Sequence, residues 1–287
     1  MKPVISTRFV IIFSIACYVF TIVLVVTTWV GAELYGNPYI LFFASIPYLI
    51  ITSIVIYIYY QFRILYNIPK IQAPDHKIKV IQNYLRRNTV KVNLPFYGRI
   101  RRRFLSMLVV AYADKGDYLA AFETCEEIWK FLPRKFAAAT SLTGEEAAIY
   151  ADEIMVLIHL GRLKPAETLL RELGLKSFSD SAGFFLLKLS HLYLSVYKSA
   201  GIAAAREKLG QARSFLSDET IQERFPMKDF KYTLLYLEAK LDMLENKNNE
   251  AHYKFMNIMH DSRNYGSRRL AGEELNYWVE RNTDNNY

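Results

Sequence analysis

The sequence predicts an all-α protein: an N-terminal transmembrane helical hairpin, then an α-solenoid of about four helix pairs, then a C-terminal cap helix. Three observations predict it. Residues 9–32 and 39–62 contain no Lys, Arg, Asp, Glu or His. From about Asp75 onward, apolar residues recur at helical spacing with no alternating β-branched run. Breaks at Gly116, Gly161, Gly201 and Asn246 divide that region into pairs.

The two apolar runs are each 24 residues long. At ~1.5 Å per residue each reaches ~36 Å, enough for a ~30 Å hydrocarbon core with some tilt. The connector 33–38 has room only for a turn. Lys2 and Arg8 precede the first span, the connector carries only Glu33, and a basic stretch follows the second span. Positive loops stay cytoplasmic, so the expected topology is two spans, both termini inside, with the repeat domain cytoplasmic. Val30-Gly31-Ala32 could pass for a signal cleavage site, but the apolar run exceeds the roughly 7–15 residues of a signal core. Even after cleavage the second span would stop transfer and leave the repeats cytoplasmic. No ionisable residue lies in mid-span, so the spans read as anchors. Pro47 is expected to kink the second, and Trp29, Tyr35, Tyr39, Tyr57, Tyr59 and Tyr60 fall near the interfaces.

Charge is unevenly placed. The formal +8 conceals a segment, 63–103, with eleven basic residues against Asp75 alone, whereas 104–287 carries 23 basic and 26 acidic residues. Arg63, Lys70, Arg99, Arg101 and Arg102 are therefore expected on the membrane surface, where anionic lipid headgroups attract Lys and Arg at ~1 kcal/mol each. No nucleic-acid recognition motif accompanies that charge. Cys17 falls in the first span and Cys125 in a later helix, so no disulfide is expected.

Three regions follow: 1–63 as the hairpin, 64–98 as a basic juxtamembrane linker with one short helix, and 99–287 as the repeat domain. In the linker Pro69, Pro74 and Pro95 read as breaks, and 77–87 forms a helix with Ile78, Ile81 and Leu85 on one face. The most informative stretch is 102–133. Leu105, Leu108 and Tyr112 precede Gly116-Asp117-Tyr118, and Ala121, Cys125 and Ile128 line a second helix that stops at Pro133. A second pair runs Tyr150, Ile154, Leu157, then Gly161, then Ala166, Leu170, Leu173, with Thr143 and Glu146 as a capping box after an irregular insert, 134–142. The third pair uses Leu189, Leu192, Val196, Ala205, Leu209 and Ala212; the fourth uses Leu235, Ala239, Asn246, Ala251, Phe255 and Ile258. Residues 268–279 form a cap helix, with Arg268-Arg269 read as a solvated pair.

The first pair resembles the tetratricopeptide repeat, a 34-residue helix–turn–helix unit, through Leu105, Leu108, Tyr112, Gly116, Tyr118, Ala121 and Pro133, although Val109 stands where that family prefers a small residue. The resemblance implies a concave face, built from the first helix of each pair, that binds a peptide or partner helix. Carried over, the groove positions are Arg103, Ser106 and Val110; Ala151, Met155 and His159; Ser190, Leu194 and Tyr197; and Tyr236, Lys240 and Met243. Of these Arg103, Met155, His159, Tyr197, Tyr236 and Lys240 are the expected partner contacts. The family's Asn- and Lys-rich clamp for a terminal carboxylate is not evident.

No phosphate loop, nucleophile motif or zinc spacing occurs, and the five histidines are scattered, so no catalytic, cofactor or metal site is expected. The expected function is a membrane-anchored scaffold or adaptor for a protein partner that is itself membrane-associated. The alternative is a regulator or immunity-type protein whose hairpin acts on an integral membrane target.

Overall fold

The computed structural model describes residues 22–23, 25–27, 29–31, 33, 67–87, 95–131, 140–199, 201–217, 227–262 and 264–284. The chain divides into two compact units, Met1–Lys70 and Ile71–Tyr287. In the first, the described positions between 22 and 33 are helical, and Ile22, Val23, Val25, Val26, Trp29 and Val30 are all exposed. A one-turn 3-10 helix, η1 (Ile68–Lys70), ends this unit. Most of 9–32 and all of 39–62 lie outside the described residues, and among the described residues no helix is long and apolar enough to cross a membrane.

Among its described residues the regular structure of the second unit is helical apart from one two-residue ladder. Its helices are α1 (Pro74–Arg87), α2 (Pro95–Lys115), α3 (Tyr118–Phe131), α4 (Gly144–His159), α5 (Leu163–Gly174), α6 (Ser181–Tyr197), α7 (Ile202–Ser217), α8 (Met227–Leu244), α9 (Asn248–Asp261) and α10 (Tyr265–Asp284). Pro74 and Pro95, read above as breaks, are instead first residues of helices, a position where proline's fixed φ suits the helix and its missing N–H costs nothing. Ile78, Ile81 and Tyr84 bury one side of α1, and the Tyr84 ring stacks on Phe104 of α2 at 3.9 Å.

Four hairpins follow: α2–α3, α4–α5, α6–α7 and α8–α9. Each turn passes through positive φ, at Gly116 (+90°), at Gly161 (+71°), at Ser199 (+51°) and Gly201 (+76°), and at Asn246 (+63°). Glycine meets no Cβ penalty there, and asparagine is among the side chains that tolerate it best. Ala121 is fully buried where α3 crosses α2, as its small size permits. The capping box at α4 is formed: Thr143 Oγ1 accepts from the Glu146 N–H at 3.3 Å, and the Thr143 N–H donates to Glu146 Oε2 at 2.8 Å.

The end of the insert before α4 is ordered by a feature the sequence did not announce. β1 (Ser141–Leu142) pairs in parallel with β2 (Ser177–Phe178), with Ser141 opposite Ser177. The ladder brings the starts of α4 and α6 together. Asp180 accepts from the Gly183 N–H at 3.0 Å, capping α6, and from the Gly144 N–H at 2.9 Å. A Cβ at Gly183 would overlap the Phe178 side chain.

The core is continuous from Leu142 to Ala271 through α4–α10, with a smaller cluster between α2, α3 and α4 around Leu105, Val109, Ala121 and Ile128. The inner helices α2, α4, α6 and α8 each pack on the next. Helix α10 packs on α8 and returns to α2, so the inner face is closed.

Candidate functional site: the closed inner face

Closure is built by reciprocal capping. The last turn of α2 leaves backbone carbonyls without intrahelical partners. Arg269 of α10 donates to two of them, Asp114 O (3.0 Å, from Nε) and Ala113 O (3.3 Å), and to the Tyr118 hydroxyl (2.6 Å), with its guanidinium 5.5 Å from the Tyr118 ring centre. In return the Asp114 carboxylate lies against Gly266 in the first turn of α10, where negative charge complements the helix dipole. Asn264 caps α10 by accepting from the Ser267 N–H at 2.9 Å. Arg269 is thus not the solvated residue expected of it. Its side chain is 16% exposed, and it joins two helices 155 positions apart.

Inside that closure lies an aromatic seam. Tyr118 stacks on the His159 imidazole with centroids 4.4 Å apart and planes 6° from parallel. Tyr197 meets the same imidazole edge-on at 5.2 Å, and Tyr193 at 6.2 Å. The Tyr197 hydroxyl lies 3.5 Å from both His159 Nδ1 and the Tyr236 hydroxyl, long contacts that align the polar atoms. The chain ends on α10, where Tyr236 donates to Glu274 at 3.2 Å and Lys240 donates to the same oxygen at 2.8 Å.

Electrostatics keep the seam uncharged except at its ends. Burial lowers the His159 pKa to about 4, with Arg269 and Lys240 adding to the effect. Burial pushes the Tyr193, Tyr197 and Tyr236 hydroxyls well above their ordinary range. The seam thus presents a neutral imidazole, neutral phenols and a Lys–Glu pair. They can recognise by hydrogen bonding and stacking. Among the described residues no group of three His, Cys, Asp or Glu could hold a metal. The Cys125 thiol is buried and its pKa raised, chiefly by burial.

The structure brings four expected groove residues together: His159, Tyr197, Tyr236 and Lys240. They face one another and α10 rather than an open channel, and Tyr236 is only 2% exposed. Met155 is half-buried beside the main core. Arg103 lies apart, paired with Glu145 of α4. Leu194 and Ser190 are buried, whereas Val110 is exposed. Of the expected surface cations, Arg101 pairs with Glu127 at 2.9 Å, Arg102 is half-buried, and Lys70 is exposed and donates to Asn67 at 3.4 Å. Arg63 and the Arg99 side chain lie outside what is described. Tyr118, just past the first turn, reaches across to His159 of α4 and Arg269 of α10. Sequence reasoning missed Arg269, Glu274 and Asp114. The only local signal was that 268–279 is amphipathic, and this could not say on what it packs.

No family model, no curated protein and no solved structure matches this chain.

Proposed function

We propose that this protein is a membrane-anchored helical-repeat adaptor, similar to tetratricopeptide proteins, that binds a protein partner at the cytoplasmic face of the membrane. The inner face supports the reading: aromatic rings, an imidazole and a lysine gathered from four helices, with α10 laid over them, make up recognition chemistry. Two observations support the membrane placement. The described part of the first apolar run presents Ile22, Val23, Val25, Val26 and Trp29 outward, which suits lipid better than water. Helix α1 keeps His76, Lys79 and Arg86 exposed opposite its buried Ile78 and Ile81, a basic side suited to anionic headgroups.

The second reading, recognition through the hairpin, gains from the same geometry, because α10 occupies part of the inner face and leaves the hairpin as the ready surface. Photocrosslinking of the full chain in native membranes separates the two. A crosslinker replacing Val110 or Met155 is expected to capture the same protein, and one at Phe20 is not. Capture from Phe20 alone transfers the function to the hairpin. Turnover of a small molecule by the purified chain would remove both readings.

A further inference from the structure

The repeat unit spends its last helix unlike the others. Among its described residues α6 buries Phe185, Leu186, Leu189, Leu192 and Leu194, and α8 buries Leu234, Tyr236, Leu237 and Leu241. Among the described residues of α10 the fully buried positions are Gly266, Ser267 and Ala271, all small, while Leu270, Leu275 and Trp278 are only half-buried. To that modest apolar contact, Leu270 and Leu275 on the core and Trp278 against His252 of α9, it adds polar anchors: Arg269 on the α2 carbonyls and Tyr118, and Glu274 on Tyr236 and Lys240. The helix also carries its own N-cap, Asn264, so its start signal travels with it. A terminal helix that buries none of its described large side chains fully, and that carries its own cap, belongs toward the low end of local stability.

We infer that α10 is a resident ligand of the inner face, and that the face takes in its place a partner's amphipathic helix bearing a basic residue and, five positions on, an acidic one. This deepens the adaptor reading and rests on it. The chemistry of the face fixes the occupant. The Asp114 carbonyl, the Tyr118 hydroxyl and the spare acceptor capacity of the Ala113 carbonyl ask for a cation; Lys240 and the Tyr236 hydroxyl ask for a carboxylate; and the close approach at Gly266 and Ala271 asks for small residues on the same side. The required pattern is that of residues 266–275: two small residues, Arg269, Leu270, Ala271, then Glu274 and Leu275. Tethering gives α10 a millimolar effective concentration, so an external helix competes only when it matches the face better or when the tether's own contacts are weakened.

The test uses the full chain in detergent micelles and a fluorescent peptide of residues 264–284 as probe. The parent should bind it weakly, because its face is occupied. The double variant Arg269→Ala, Glu274→Gln should bind it at least ten times more tightly, and a peptide carrying the same two changes should lose that gain. Equal binding to parent and variant, or no binding to either when the variant melts like the parent, overturns the inference and makes α10 a fixed part of the fold. Should the double variant fail to fold, Glu274→Gln alone carries the same comparison with the same two outcomes. The probe is the chain's own sequence, so a negative result leaves the crosslinking result standing. Exchange without any crosslink from the repeat unit would instead overturn the adaptor reading alone.

Discussion

At the scale of single residues, two half-buried, desolvated titratable groups pull stability in opposite directions with pH. His159 in the folded chain stays neutral down to about pH 4, whereas the unfolded chain takes up a proton near 6.5. Stability therefore falls as pH drops through that window, by roughly 3 kcal/mol in full. Asp152 acts oppositely: burial, aided by Asp114, raises its pKa to about 7. Its proton is held by the folded form and lost by the unfolded form above about 3.8, so stability falls as pH rises from there toward 7. The two effects partly cancel between pH 4 and 6.5. Asp152→Asn should steepen the loss of melting temperature on acidification, and should raise that temperature more at pH 8 than at pH 5. His159→Gln should flatten the acid side, and melts across pH 4–8 read both. Gly116 is constrained twice, by its φ of +90° and by Arg269, whose Nη1 would lie 3.0 Å from an added Cβ. Gly116→Ala should cost more than about 1 kcal/mol in urea unfolding.

Among the elements, what the sequence made legible was local. The turn residues Gly116, Gly161 and Asn246, the capping box of α4 and the buried stripes of each hairpin follow from rules that span fewer than eight residues, and the structure contains them. Ala121→Phe should overpack the α2–α3 crossing and lower stability by about 1–3 kcal/mol. Contacts between hairpins were less legible, because charge pairs between elements have no fixed spacing. Asp242 of α8 is one case. Only 3% exposed, it takes ion pairs from Arg206 of α7 and Lys254 of α9, and Arg206 also pairs with Glu245 at 3.0 Å. Without Asp242, Arg206 keeps Glu245 and Lys254 keeps Glu238, so Asp242→Ala should cost about 1–3 kcal/mol through the lost charged hydrogen bonds, whereas Glu250→Ala on the exposed start of α9 should be near neutral. The β1–β2 ladder also escaped prediction, since two residues on each side are too few to leave a periodic signal.

For the molecule as a whole, the seam was half-readable. His159, Tyr197, Tyr236 and Lys240 could be placed on one face by register alone. That the face is shut by Arg269 and Glu274 could not, because curvature accumulates over all four hairpins before α10 meets α2. Hydrogen exchange should show the amides of 265–284 opening at lower free energy than those of 227–244, and equal protection would place α10 within the same cooperative unit. Closure also changes what kind of object the repeat array is. A stack open at both ends can gain or lose a hairpin with only its neighbours affected. Here the fifth inner helix must arrive at the end of the first, so the circumference is set and the number of hairpins is a fitted quantity. An inserted pair between α5 and α6 would carry Arg269 away from Asp114 and Tyr118, however well that pair folded. The array behaves as a loop of fixed perimeter, in which lengthening at any one place is felt at the seam.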